Sequence, residues 1–116
     1  MLLIWVSLSC FHFNDNDTSI SISETKTVYK MSAHFSRNKT KAVHEYIDRQ
    51  TGKANNISFL NSEADATVML HDKTSFYLKS LPGELEIKLD KQDNSYESFA
   101  RVKEMCEGIK KVIEKQ

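Results

Sequence analysis

Apolar and charged residues alternate without a break from Glu84 to Asp90. In an extended chain, Leu85, Ile87 and Leu89 all point to one side, and the charged residues between them point to the other. This pattern predicts a β-strand that packs one face on a hydrophobic core and turns the other face to solvent. The rest of the chain therefore has to cover only one face of a sheet, which favours an antiparallel sheet with helices on one side.

Two further strands are predicted before this one, and together the three form a meander. Residues 66–71 and 74–80 are β-rich runs of strand length, separated by a short turn. The second turn of the meander is predicted at residues 81–84, where Pro82 and Gly83 occupy the two central positions of a type II turn. The meander would leave one polar face in solvent.

A hairpin is predicted near the other end of the chain. Residues 18–23 alternate strictly, with isoleucine on one side and serine on the other. Residues 27–36 continue the alternation, with Tyr29 and Met31 among the side chains of the apolar side. Residues 24–26 would connect the two segments, which predicts an antiparallel pair of strands.

The period of the apolar residues then changes from two to that of a helix. A short amphipathic helix is predicted from Lys39 to about Arg49, because apolar residues recur there at helical spacing. Asn38 is the predicted N-cap, since asparagine side chains accept hydrogen bonds from free N–H groups at helix starts. Gly52 is the predicted stop.

A longer helix closes the chain, from Ser95 to near Lys115. Asn94 and Glu97 nearly match a capping box, with asparagine in place of the usual serine or threonine. Gly108 lies inside this helix at a cost of about 1 kcal/mol relative to alanine, so it either marks a close approach of helix and sheet or is merely tolerated. The predicted apolar stripe consists of Tyr96, Phe99, Val102, Cys106, Ile109 and Ile113.

The order of these elements is ββαβββα, which predicts an α+β fold with an antiparallel sheet of about five strands and two helices on one face. The chain has 116 residues, enough for a single modest core. Residues 14–116 are therefore predicted to form one small α+β domain. Residues 1–13 are predicted to be separate from it, because they contain no charged residue while the rest of the chain is dense with charge.

The uncharged N-terminal segment ends in Ser7, Leu8, Ser9 and Cys10. This end resembles that of a bacterial lipoprotein signal whose start would lie upstream of Met1. In that family the cysteine becomes the lipidated first residue, and a leucine usually stands three residues before it. Here Ser7 occupies the leucine position, and Leu8 is one place off. Residues 1–13 are thus predicted to be an apolar leader or the remnant of a signal segment, and the resemblance implies lipidation of Cys10.

Two alternatives for this segment stay open. Residues 2–6 form an apolar run of strand length, which is also typical of a buried strand. The segment could instead lie on a membrane surface as an anchor. A membrane-spanning helix is excluded at residues 1–13, because it needs about 20 apolar residues. Contact with a membrane is thus expected only through an N-terminal anchor.

Charge and cysteine content exclude several classes of function. The 16 lysine and arginine residues balance the 16 aspartate and glutamate residues, so no net field favours nucleic acid as a partner. The two cysteines, Cys10 and Cys106, do not make a disulfide framework. Cys106 is expected to pack as a small hydrophobic residue on its helix, and whether the two residues pair stays open.

No group of residues predicts catalysis, a metal site or a cofactor. The histidines, at positions 12, 34, 44 and 71, are not spaced as metal ligands, and each is expected on the surface. Phosphate-binding loops and nucleophile motifs are missing from the sequence. The one candidate site is a weak anion-binding corner at the start of the first helix, formed by Arg37, Lys39 and Lys41 with His34 nearby.

The sequence leads to two interpretations of function. The first is a non-catalytic binding domain that is displayed at the cell envelope or secreted, with a protein or a cell-surface glycan as its partner. The alternative is a small cytoplasmic α+β protein that acts as an enzyme on an anionic small molecule or inhibits an enzyme. For the first interpretation, the side chains expected to bind are Lys30, His34, Tyr77, Lys79 and Glu86. The strand order decides whether these five share one face.

Overall fold

The computed structural model describes residues 18–52 and 63–115, together with the backbone of residues 7–12. These residues form an α+β fold in which an antiparallel sheet carries two helices. The strands are β1 (Ser7–His12), β2 (Ser19–Glu24), β3 (Val28–His34), β4 (Ala64–Met69), β5 (Ser75–Leu81) and β6 (Glu84–Asp90). The helices are α1 (Thr40–Thr51) and α2 (Tyr96–Glu114).

The fold class is confirmed, since the five predicted strands and both predicted helices occur in the predicted order. β1 is a further strand, and it lies within the segment predicted to be a leader. Its backbone pairs antiparallel with β2, with Ser7 opposite Glu24 and His12 opposite Ser19. The alternative strand at residues 2–6 lies outside the described residues. The origin of the first residues in a signal segment stays a prediction.

The strands follow the order β1-β2-β3-β6-β5-β4 across the sheet, and all neighbours are antiparallel. Pairing of β3 with β6 joins the N-terminal hairpin to the C-terminal meander at the centre of the sheet. Residues directly opposite each other share a face, and Met31, Ile87 and Leu78 form one such row across three strands. The apolar sides of the separate strands therefore combine into one continuous apolar face.

Both helices cover this apolar face, and their buried side chains form a single core with those of the strands. α1 contributes Val43 and Ile47 to the core. The core residues of α2 are Val102, Met105, Cys106, Ile109 and Ile113. Burial of one aliphatic side chain contributes about 1.5–3 kcal/mol. This burial, more than helix propensity, therefore holds α1 and α2 on the sheet.

The predicted N-cap of the first helix, Asn38, is wrong. A 3₁₀ turn at Arg37–Lys39 precedes α1, so Asn38 lies inside that turn and Lys39 is the N-cap, without a side-chain hydrogen bond. The first residue of α1, Thr40, instead accepts a hydrogen bond from the backbone N–H of Gly83 at 2.9 Å. The predicted stop is confirmed, because Gly52 ends α1 in the left-handed region at φ 67°.

The predicted cap of the second helix is one residue off. Ser95 caps α2, and its hydroxyl accepts a hydrogen bond from the backbone N–H of Ser98 at 3.0 Å. The side chain of Asn94 instead accepts from the backbone N–H of Ser75 at 2.8 Å and donates to its carbonyl at 2.9 Å. Tyr96 is also not part of the buried stripe, since 78% of it is exposed.

Gly108 marks a close approach between the two helices, not between helix and sheet. A Cβ atom at this position would lie 1.6 Å from the hydroxyl oxygen of Tyr46 on α1 and 2.3 Å from its Cζ. The phenol ring thus occupies the space that a side chain at position 108 would need. A side chain at position 108 would therefore force the Tyr46 ring to move, which gives a packing reason for glycine despite its cost within a helix.

Candidate functional site

The second face of the sheet is polar, and both helices lie on the opposite side. We call this surface the open face. The strand pairs show which residues lie on this face, because residues that are opposite each other, or two apart on one strand, share a face. The open face consists of Ser19, Ser21 and Ser23 on β2, Val28, Lys30, Ser32 and His34 on β3, Glu84, Glu86, Lys88 and Asp90 on β6, Ser75, Tyr77, Lys79 and Leu81 on β5, and Asp65, Thr67 and Met69 on β4.

The five side chains predicted to bind a partner all lie on the open face. Lys30 is opposite Lys88, which is in turn opposite Tyr77, so these three form a row across β3, β6 and β5. In the next row, Glu86 is directly opposite Lys79. His34 follows at the end of β3, opposite Glu84. The strand order that the sequence leaves open therefore brings these residues together on one surface.

One end of the open face has a small depression of about 120 Å³. Its polar lining consists of Ser32, His34, Lys79, Glu84 and Glu86. Nδ1 of His34 lies 3.4 Å from Oε1 of Glu84, and the two side chains are 62% and 46% exposed. A polar contact this exposed contributes little to stability. The depression is also smaller than ordinary small-molecule pockets, which measure about 300–1,000 Å³.

A second, more open depression of about 440 Å³ lies further along the same face, and we call it the Tyr77 depression. The hydroxyl of Tyr77 donates a hydrogen bond to Oδ1 of Asp65 at 2.8 Å. This hydrogen bond is the main cause that raises the pKa of Tyr77. The residues that line the depression are Thr67, Ser75, Phe76, Tyr77, Glu86, Lys88, Asp90, Asp93 and Asn94.

The three cations of the predicted anion-binding corner have different surroundings. Arg37 and Lys39 lie in the 3₁₀ turn, and Lys41 follows in the first turn of α1. The ammonium group of Lys39 donates a hydrogen bond to the backbone carbonyl of Ile113 at 2.5 Å, at the C-terminal end of α2. A cation is favourable there, because free carbonyl groups carry partial negative charge. An anion at this corner would therefore compete with Ile113 for Lys39, and the site stays a prediction.

A buried histidine is the feature that the sequence did not predict. His44 is only 6% exposed, and its Nε2 lies 2.7 Å from the hydroxyl oxygen of Ser80, which is 1% exposed. Burial lowers the pKa of His44. Because a substrate has no access to a serine this deeply buried, the pair links α1 to β5 and is not a catalytic dyad. The sequence did contain a signal for this burial, because His44 stands between Val43 and Ile47 on the apolar side of α1.

The thiol of Cys106 is buried and unreactive. Cys106 is a free, buried cysteine on the core side of α2, as its place in the apolar stripe predicts. Burial also raises the pKa of its thiol, which suppresses the reactive thiolate form. The backbone of Cys10 lies in β1, opposite Ser21. Lipidation of Cys10 stays a prediction.

Within residues 18–52 and 63–115, no three histidine, cysteine, aspartate or glutamate side chains come together as a metal site. The helices of the same ranges do not combine the length and apolar character that crossing a bilayer requires. A comparison with known proteins gives no match to any protein-family model, curated protein or solved structure. The open face is the candidate site, because it gathers the five side chains predicted to bind a partner.

Proposed function

We propose that this protein is a non-catalytic binding domain of the cell envelope, and that it engages its partner through the open face. The observation that carries the proposal is the gathering of Lys30, His34, Tyr77, Lys79 and Glu86 on one helix-free surface. Tyrosine among charged residues is a composition typical of recognition surfaces. The inner strands β3, β6 and β5 also offer a rigid platform, because each of them pairs with a neighbouring strand on both sides.

The shape of the open face favours binding over catalysis. Both depressions described above are open to solvent; the one that contains His34 and Glu84 has a volume of about 120 Å³, and the Tyr77 depression, of about 440 Å³, has no histidine in its lining. Enzymes that act on small molecules usually enclose most of the ligand surface in a deeper pocket. The buried pair of His44 and Ser80 offers no alternative active site, because both side chains are inside the core. A protein surface fits such a shallow face better than a small substrate does.

The envelope location rests on the resemblance of residues 7–10 to a lipoprotein signal. Cleavage before Cys10 would leave residues 10–12 of β1, whose backbone pairs with residues 19–21 of β2. The lipidated residue would then belong to an edge strand of the sheet. Because β1 and β4 are the opposite edges of the sheet, an anchor on β1 would lie on the far side from β4, β5 and β6.

Site-specific photo-crosslinking in the native cell tests the binding function. A benzophenone amino acid is placed at the half-buried Tyr77 on the open face, and at the exposed Tyr96 on α2 as a control. We expect a discrete adduct of the Tyr77 variant, identified by mass spectrometry, that disappears when Glu86→Lys is added on the same face. Equal adducts from both positions, or none from Tyr77, would contradict the proposal.

The location is tested separately by intact mass and cell fractionation of the protein made from its native locus. A membrane-bound species that starts at Cys10 and carries acyl mass is the expected result. A species in the cytosol that retains Met1 would contradict the envelope location, but it would leave the binding function of the open face intact.

A further inference from the structure

The open face is divided into two halves that differ in charge. On β2 and β3, its only ionisable side chains are Lys30 and His34, and most of the others are serines. On β4, β5 and β6, four carboxylates face two lysines: Asp65, Glu84, Glu86 and Asp90 against Lys79 and Lys88. Asp93 lies next to this half, in the wall of the Tyr77 depression. The half formed by β4 to β6 therefore has an excess of negative charge.

This excess is not neutralised within the described part of the chain. Lys79 is directly opposite Glu86, yet the two do not form an ion pair. None of the salt bridges among residues 18–52 and 63–115 includes Glu86, Asp90 or Asp93. Asp90 accepts a hydrogen bond from the backbone N–H of Gln92 at 2.8 Å, which leaves its negative charge unpaired. Among the described residues, Glu86, Asp90 and Asp93 thus have no cation as an ion-pair partner.

The Tyr77 depression adds a shape that suits a long cationic side chain. The Tyr77 ring is half-buried in the sheet, and its hydrogen bond to Asp65 holds it in place. A lysine or arginine could stack its stem or head group on this ring, since aromatic faces attract cations. Its charged end would then meet Glu86 or Asp93. Arginine fits best, because its planar group both stacks and binds carboxylates in a bidentate way.

We propose that the occupant of this half of the open face is a segment of a protein partner rich in arginine and lysine. The inference rests on the proposed binding function and adds the chemistry of the partner. Complementary charge would guide the two surfaces together and set their orientation. The serine-rich half formed by β2 and β3 would contact the neutral flank of the same partner.

The test is an NMR titration of the isotope-labelled full chain with two probes, a hexa-arginine peptide and the neutral glycan chitohexaose. We expect saturable, salt-dependent shifts from the peptide on β4, β5 and β6, and none from the glycan. In the variant Glu86→Gln/Asp93→Asn, the dissociation constant of the peptide should rise about tenfold. The matched control, Glu104→Gln/Glu107→Gln, makes the same change of charge on exposed positions of α2 and should have little effect.

A second pair of variants tests the aromatic ring. Tyr77→Phe keeps the ring and should bind the peptide as the natural chain does, whereas Tyr77→Leu should bind about threefold more weakly. Peptide shifts that map to the helices, or equal losses in both carboxylate variants, would overturn the inference. So would shifts from chitohexaose alone on the open face. These results would leave the proposed function standing if Tyr77 still crosslinks to a partner in cells, whereas loss of that crosslink would remove both.

Discussion

The contact between Gly108 and Tyr46 predicts that Gly108→Ala destabilises the natural protein but stabilises a variant that lacks the Tyr46 ring. Replacing glycine by alanine inside a helix normally stabilises a protein by about 1 kcal/mol. In Gly108→Ala, the new methyl group would lie 1.6 Å from the Tyr46 hydroxyl oxygen. Ordinary contacts are about 3.5–4.0 Å, so the ring has to move by about 2 Å. Overpacking of this kind costs about 1–3 kcal/mol, and we expect a net loss of about 1 kcal/mol.

In the Tyr46→Ala background the ring is gone, so the same Gly108→Ala change should raise the free energy of unfolding by about 1 kcal/mol. The coupling between the two positions is then about 2 kcal/mol, well above the error of a double-mutant cycle. Urea denaturation of the four proteins, followed by far-UV circular dichroism, measures it. Glu107→Gly compared with Glu107→Ala gives the helix propensity at the neighbouring exposed position.

An equal effect of Gly108→Ala in both backgrounds, within about 0.5 kcal/mol, would refute the reasoning. It would mean that Tyr46 does not occupy the space above position 108, or that its ring moves aside without cost. In the second case the ring would contribute nothing to the packing of α1 on α2. The presence of a glycine inside α2 would then have no structural explanation.

Three further predictions concern the core and one helix cap. The buried hydroxyl of Tyr29 has no hydrogen-bond partner among the described residues, so Tyr29→Phe should raise the free energy of unfolding by about 1 kcal/mol, measured by urea denaturation; a loss of stability would show that the hydroxyl is satisfied. Burial lowers the pKa of His44 below its ordinary value of 6.5, so the folded state favours the neutral ring. The stability that this residue provides is therefore complete above pH 6.5 and is lost as the pH falls through the lowered pKa. Urea midpoints measured from pH 7.5 to 5 should show this decline, and His44→Gln should make it shallower. Ser95→Ala should cost about 1 kcal/mol in thermal or urea denaturation, because it removes the cap of α2; Ser36→Ala, at a position without a side-chain cap, is the control and should cost much less.

Local patterns were sufficient for the elements but not for their exact ends. The alternation around Ile87 and the helical period around Val102 each identify one buried face, so the strands and helices could be predicted. The two caps were each assigned one residue too early, at Asn38 and Asn94. In both places several polar residues stand next to each other, so the sequence does not show which of them begins the helix. Asn94 is held by Ser75 on β5, a contact between residues far apart in sequence.

The candidate site shows the same limit more clearly. Alternation tells which side of β3 and which side of β6 is polar, but only the pairing of these two strands puts Lys30 beside Lys88. That pairing spans the whole middle of the chain, and no local signal in the sequence encodes it. The burial of His44 was missed for a related reason. Its partner, Ser80, is on β5, and a buried histidine cannot be distinguished from a surface one until its partner is known.

The pairing of β1 with β2 changes what the N-terminal segment means for the fold. An uncharged segment of this length was separated from the domain on composition alone, yet residues 7–12 continue the sheet by a further strand. Composition cannot distinguish an edge strand from a leader here, because both need the same short apolar run. The two roles conflict only over residues 7–9, which cleavage before Cys10 would remove. Residues 10–12 would keep their places opposite residues 19–21, so cleavage before Cys10 is compatible with a shortened β1 that still pairs with β2.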